Sequence, residues 1–150
     1  MSCFVALTMH TSILLPAFAM VVLTAIVAFA LYRERFGEIG RKKLDPQSLA
    51  TSGNVSRTLE NTQASDNFKN LFEMPVLFYA LCAFLASGQV VSEFFVIGAW
   101  AYVVLRYLHS YIHLTYNRVT HRFGVYVLSM LVLFVMWTVY GVRLILAATA

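Results

Sequence analysis

Charge is scarce in this chain. Of its 150 residues 12% are Asp, Glu, Lys or Arg, only 7 are acidic, and 60% are hydrophobic. With a mean hydropathy of +0.73, this composition lies outside the range of soluble globular domains. Cysteine is nearly absent too. Cys3 sits near one terminus and Cys82 within an apolar run, so a bridge between them has poor geometry and no metal-type spacing exists. Cys82 reads as a small buried apolar residue. There is no internal repeat, nucleotide-binding glycine loop or zinc-protease signature, and no series of alternating ten-residue strands of the porin kind.

What the chain does have is four apolar stretches, Thr11–Tyr32, Leu71–Ser87, Val90–Leu108 and Val125–Ala148. Each is long enough to cross a hydrocarbon core of roughly 30 Å as a helix, the second only just. Lipid offers the backbone no hydrogen bonds, so helices are the expected form. The expectation is an all-α membrane protein: one domain over 1–150, a four-transmembrane-helix bundle of up-down topology. Its helices fall at about 11–32, 68–88, 90–114 and 121–148, with a polar loop at about 33–67. Ala28-Phe29-Ala30 resembles a signal cleavage site, but no Lys or Arg precedes Thr11 and the apolar run exceeds a signal core. A retained first helix is the expectation.

Charge placement gives an orientation. Arg33, Arg35, Arg41, Lys42, Lys43, Arg57 and Lys69 lie between the first two apolar segments, and Arg106, Arg118 and Arg122 lie around the third connection. By the positive-inside rule both basic connections are cytoplasmic and both termini are outside. The net charge of +4 then reflects topology, with no nucleic-acid partner expected, and the Asn54-Val55-Ser56 sequon is on the wrong side for glycosylation. The 33–67 loop reads as a surface that meets anionic headgroups. A lid over the bundle mouth is the sharper alternative.

Two polar constellations interrupt the apolar segments. Tyr102, Arg106, His109 and His113 follow offsets of four, three and four, which place them on one helix face. An arginine at membrane depth costs roughly 2.5–3.5 kcal/mol on insertion scales, so this stripe is expected to face a polar interior. In the second segment Asp66, Asn70 and Glu73 share a face by the same spacing, and Pro75 is expected to open the helix near Asn70 and Glu73. Mutual neutralisation of Glu73 and Arg106 explains both residues without any function. Tyr116, Asn117, Arg118, His121, Arg122 and Tyr126 follow at the third connection. Together these groups suit an anionic ligand, because arginine forks carboxylates and phosphates and tyrosine hydroxyls donate to oxyanions or thiolates.

The residues resemble the MAPEG family, membrane-associated proteins of eicosanoid and glutathione metabolism. The resemblance rests on Asn70, Glu73 and Pro75 in NLFEMP and on Arg106, His109, His113, Arg118, Arg122 and Tyr126 in their spacing, over roughly Asp66 to Tyr140. The match implies a divergent member of bacterial type, an integral multi-pass protein of a bacterial inner membrane. It further implies a homotrimer holding glutathione, as cosubstrate, between neighbouring subunits near the cytoplasmic side. On that resemblance Arg122 and Tyr126 are catalytic, acting on the thiolate. Asn70, Glu73, Arg106, His109, His113 and Arg118 bind the cosubstrate, and no metal is expected. The implied reaction is glutathione transfer to apolar electrophiles or reduction of lipid hydroperoxides, with substrate arriving from the bilayer. The chain departs from catalytic members at two places: Asp66 stands where they usually carry Arg, and His113 where they commonly carry Tyr. Other readings are a catalytically silent family member serving as a membrane assembly subunit, and haem or metal binding by His109 and His113. Transport lacks the paired broken helices of an ion site.

Overall fold

The computed structural model describes residues 12–45, 47, 53–54 and 62–149. They form helices α1 (Leu14–Lys42), α2 (Gln63–Asn70), α3 (Met74–Ser87), α4 (Glu93–Leu114) and α5 (Val119–Thr149). No strand occurs among the described residues. Helices α2 and α3 together make one apolar span, so four spans are long and apolar enough to cross a membrane.

The buried faces follow helical periodicity. On α1 they are Pro16, Met20, Leu23 and Val27, and on α5 Ser129, Leu133, Met136 and Tyr140. Helix α4 is the most enclosed, burying Phe95, Ala99, Tyr102, Val103, Arg106, His109, Ser110, Ile112 and His113. Side-chain to backbone bonds tie the helices together. Tyr107 Oη donates to the Ala19 carbonyl at 2.8 Å, and Trp137 Nε1 donates to the Leu77 carbonyl at 3.2 Å. Phe78 stacks on Tyr102 with centroids 4.6 Å apart.

The first helix is longer than its apolar run. It continues ten residues past Tyr32 and absorbs Arg33 to Lys42, which hydropathy alone assigns to a loop. Hydropathy marks the membrane boundary, whereas the helix ends where the backbone does: Lys43 takes a left-handed φ of 49° and its N–H bonds the Ile39 carbonyl. Within the extension Glu38 is buried and pairs with Lys42 at 2.7 Å. The second span likewise begins at Gln63, ahead of Phe68, so the connection is shorter than 33–67. Most of its middle, Ser56 of the sequon and Arg57 included, lies outside the described residues, as do Thr11 and Cys3.

The second span breaks at Leu71-Phe72-Glu73 as Pro75 leads one to expect. Proline has no N–H and its ring crowds the carbonyl four residues back, here that of Leu71. Glu73 leaves helical geometry (φ −95°, ψ −99°), and Pro75 falls in the first turn of α3, where its missing donor costs nothing.

Close packing of α4 on α5 depends on Gly98. A Cβ there would meet Met136 Sδ at 2.9 Å. We predict that Gly98→Val lowers the unfolding free energy in detergent by about 1–3 kcal/mol, the usual cost of overpacking. Adding Met136→Ala should recover much of it. Full stability of the single variant would show that this approach is not a constraint.

Candidate functional site

The interior stripe expected on α4 is present. Tyr102 and Arg106 are completely buried, and His109 and His113 are 3% and 2% exposed. The break in the second span supplies a partner. Asn70 ends α2, and its carbonyl accepts Arg106 Nη2 at 3.0 Å. Arg106 Cζ also lies 5.6 Å above the Tyr126 ring, within cation–π range. Among the described residues Arg106 Nε and Nη1 have no hydrogen-bond partner, and neither do Tyr102 Oη, Asn67 Nδ2, His109 Nε2 and His113 Nδ1.

The expected Glu73–Arg106 pair is not an ion pair within this chain. Among the described residues Glu73 has no salt bridge within 4.0 Å, and it is exposed. Glu73 lies in the break at residues 71–73, outside helical geometry, and acts on Arg106 through its charge without an ion-pair contact. Asp66 is also exposed. Its carboxylate is taken up by Lys69 Nζ and Thr62 Oγ1, each at 3.3 Å.

Arg122 organises the other wall. Its carbonyl lies 3.2 Å from His109 Nδ1, and its Nη1 lies 3.0 Å from His113 Nε2 and 2.7 Å from Asn117 Oδ1. These contacts fix both histidine tautomers. A carbonyl only accepts, so His109 Nδ1 carries the proton and Nε2 keeps its lone pair. A guanidinium only donates, so His113 Nε2 is the bare nitrogen and Nδ1 carries the proton. The interior thus offers His109 Nε2 as its one bare ring nitrogen and the Tyr102 hydroxyl as donor or acceptor, amid donors from Arg106, Asn67 and His113.

A cavity of about 170 Å³ opens beside this cluster, lined by Asn70, His109, Val119, Arg122, Phe123 and Tyr126. It brings together four of the eight residues expected at the site. Arg106 and His113 lie behind the wall, bonded to Asn70 and Arg122 respectively. Glu73 and Arg118 are exposed and do not line it. Sequence reasoning missed Asn67, which is fully buried and accepts Ser110 Oγ at 3.2 Å. Its signal was available: Asn67 precedes Asn70 by three, and Ser110 follows Arg106 by four. Among the described residues no group of three or more His, Cys, Asp or Glu could hold a metal ion.

The fold and this polar seam define an α-helical membrane protein with a buried polar interior. The model of the MAPEG family matches residues 13–142, and the chain belongs to that family. It is an integral, multi-pass membrane protein. No curated protein and no solved structure matches it.

The tautomers can be read directly. ¹⁵N spectra of the histidine-labelled protein at neutral pH should give His109 and His113 as neutral rings protonated at Nδ1. A ring protonated at Nε2 for either residue would contradict the contacts made by Arg122.

Proposed function

We propose that this protein is a glutathione-dependent transferase or peroxidase acting on apolar electrophiles or lipid hydroperoxides. The observation that carries the reading is the juxtaposition of Arg106, a wholly buried cation with two nitrogens unpartnered among the described residues, with Arg122, which lines the adjacent cavity. Neither has a carboxylate within ion-pair distance among the described residues. A wholly buried guanidinium is costly, and a second one lining the adjacent cavity adds to that cost, unless a ligand brings negative charge.

When bound, glutathione supplies a nucleophilic thiol, and a neighbouring cation lowers a thiol's pKa toward the thiolate. Arg122 is the group for that role, since among the described residues its Nε and Nη2 make no hydrogen bond while Nη1 is held. Tyr126, half-buried in the same wall, donates its hydroxyl to the thiolate or to a carboxylate. Asn70 lines the cavity as a polar contact, and His109 Nε2 accepts a hydrogen bond from the ligand's N–H groups. Glu73 and Arg118 are exposed and meet the ligand only from a neighbouring subunit's side.

The cavity size supports an assembly. Small-molecule sites usually span roughly 300–1,000 Å³, and one chain encloses about 170 Å³. A homotrimer with the ligand between subunits supplies the remainder. Apolar substrate has an approach from the bilayer: Phe68, Leu71 and Phe72, which flank Asn70, line an apolar groove of about 600 Å³ with Val21, Ala25 and Tyr79. In this reading the basic connections face the cytoplasm of a bacterial inner membrane and both termini lie outside.

One observation favours a second reading, a catalytically silent assembly subunit. Arg122 Nη1 is already satisfied inside the chain, and His113 occupies the place where active relatives commonly have Tyr. Crosslinking in native membranes separates the two, since the silent reading requires a partner other than this chain.

The wild-type protein in detergent should generate glutathione thiolate absorbance at neutral pH and release heat on titration. Arg122→Ala should cut turnover about a hundredfold, the usual loss for one preorganised electrostatic donor. Absence of binding at millimolar glutathione would overturn the proposal, and an Arg122→Ala enzyme of undiminished rate would remove the role given to that residue.

A further inference from the structure

The connection between α4 and α5 contains a residue in an uncommon conformation that the proposed chemistry does not use. Asn117 has φ 44°, in the left-handed region, and its N–H donates to the Ile112 carbonyl at 2.8 Å. Asparagine is one of the few non-glycine residues that tolerate this region. Its side chain is then free to turn back, and Oδ1 accepts Arg122 Nη1 at 2.7 Å.

That contact selects which part of the guanidinium remains available. Arginine has five N–H donors in a rigid fork. The two on Nη1 are directed to Asn117 Oδ1 and His113 Nε2. Nε and Nη2 form the side-on edge, the pair that binds an anion bidentately, and among the described residues neither makes a hydrogen bond. Among the described residues the guanidinium's hydrogen-bond partners are His113 and Asn117, and no carboxylate lies within ion-pair distance of it; Asp66 acts on His113 only through its charge and is held by Lys69. Asn117 Oδ1 is therefore the strong acceptor that orients the fork. The His113 contact is longer, and its acceptor is a neutral ring.

We propose that Asn117 is a positioning residue: by occupying Arg122 Nη1 from a left-handed turn, it presents the Nε–Nη2 edge to the ligand's thiolate. This rests on the glutathione reading above. Asn117 does not touch the ligand, so its loss should act on the stabilisation of the thiolate rather than on ligand affinity.

The turn allows a clean test, because glycine adopts φ 44° without strain and Asn117→Gly therefore removes the acceptor while keeping the backbone. Relative to wild type, Asn117→Gly should have an unchanged KM for glutathione and a kcat about tenfold lower at neutral pH. The pKa of the bound thiol should be higher by about 1 pH unit, the equivalent of one lost charge-assisted hydrogen bond. An unchanged thiol pKa and kcat would overturn the proposal. If the wild-type protein itself neither binds nor ionises glutathione, the functional reading fails and the positioning claim is still decided. Phenylglyoxal should then modify Arg122 several-fold faster in Asn117→Gly, as followed by mass spectrometry, and equal rates would overturn it.

Discussion

The hydrogen bond from Arg106 to the Asn70 carbonyl is the contact on which the interior depends. It exists because Pro75 ends helical continuity at Leu71-Phe72-Glu73, leaving a main-chain acceptor at the end of α2 facing a guanidinium on α4. In lipid both halves would otherwise be expensive, an unpaired carbonyl on one side and an unpaired cation on the other. A hydrogen bond to a charged group contributes about 1.5–3 kcal/mol. That offsets part of the cost of burying Arg106 and leaves two of its nitrogens unpartnered. The helix break and the buried cation are therefore one feature.

The neighbouring contacts share a single logic. Arg122 holds both histidines, His109 with its carbonyl and His113 with its side chain, and is itself held by Asn117. The result is a rigid cluster with an excess of donors over acceptors. A structural network evolved only to close the bundle would have matched its donors and acceptors, since half-satisfied buried networks are worse than apolar ones. In the glutathione reading the ligand brings the acceptors that these donors lack.

Much of this was legible in the sequence, and the limits have physical causes. Helix number followed from apolar length, the interior stripe from the 4-3-4 spacing of Tyr102, Arg106, His109 and His113, and the break from Pro75. The extent of α1 did not, because Arg33 to Lys42 are polar yet helix-compatible, and hydropathy reports the bilayer edge alone. The expected Glu73–Arg106 ion pair is absent because the helical phase does not run unbroken through the turn before Pro75. Asn67 with Ser110, and Asn117 with Arg122, are tertiary contacts between residues whose types are common in loops and caps. The family motif marked Arg122 without indicating that one of its nitrogens is already spent.

Arg106 and the donors around it are, in this view, kept for an anionic ligand rather than for stability. Ligand-linked thermal unfolding of the purified protein tests this most directly. At a glutathione concentration about a hundred times its Kd, the wild type should gain about 2.7 kcal/mol, while Arg106→Met should gain far less and, without ligand, unfold within about 2 kcal/mol of wild type. A wild-type midpoint unmoved by millimolar glutathione, together with an Arg106→Met protein that loses its fold, would make Arg106 a structural tie and contradict the assignment of this interior to a ligand.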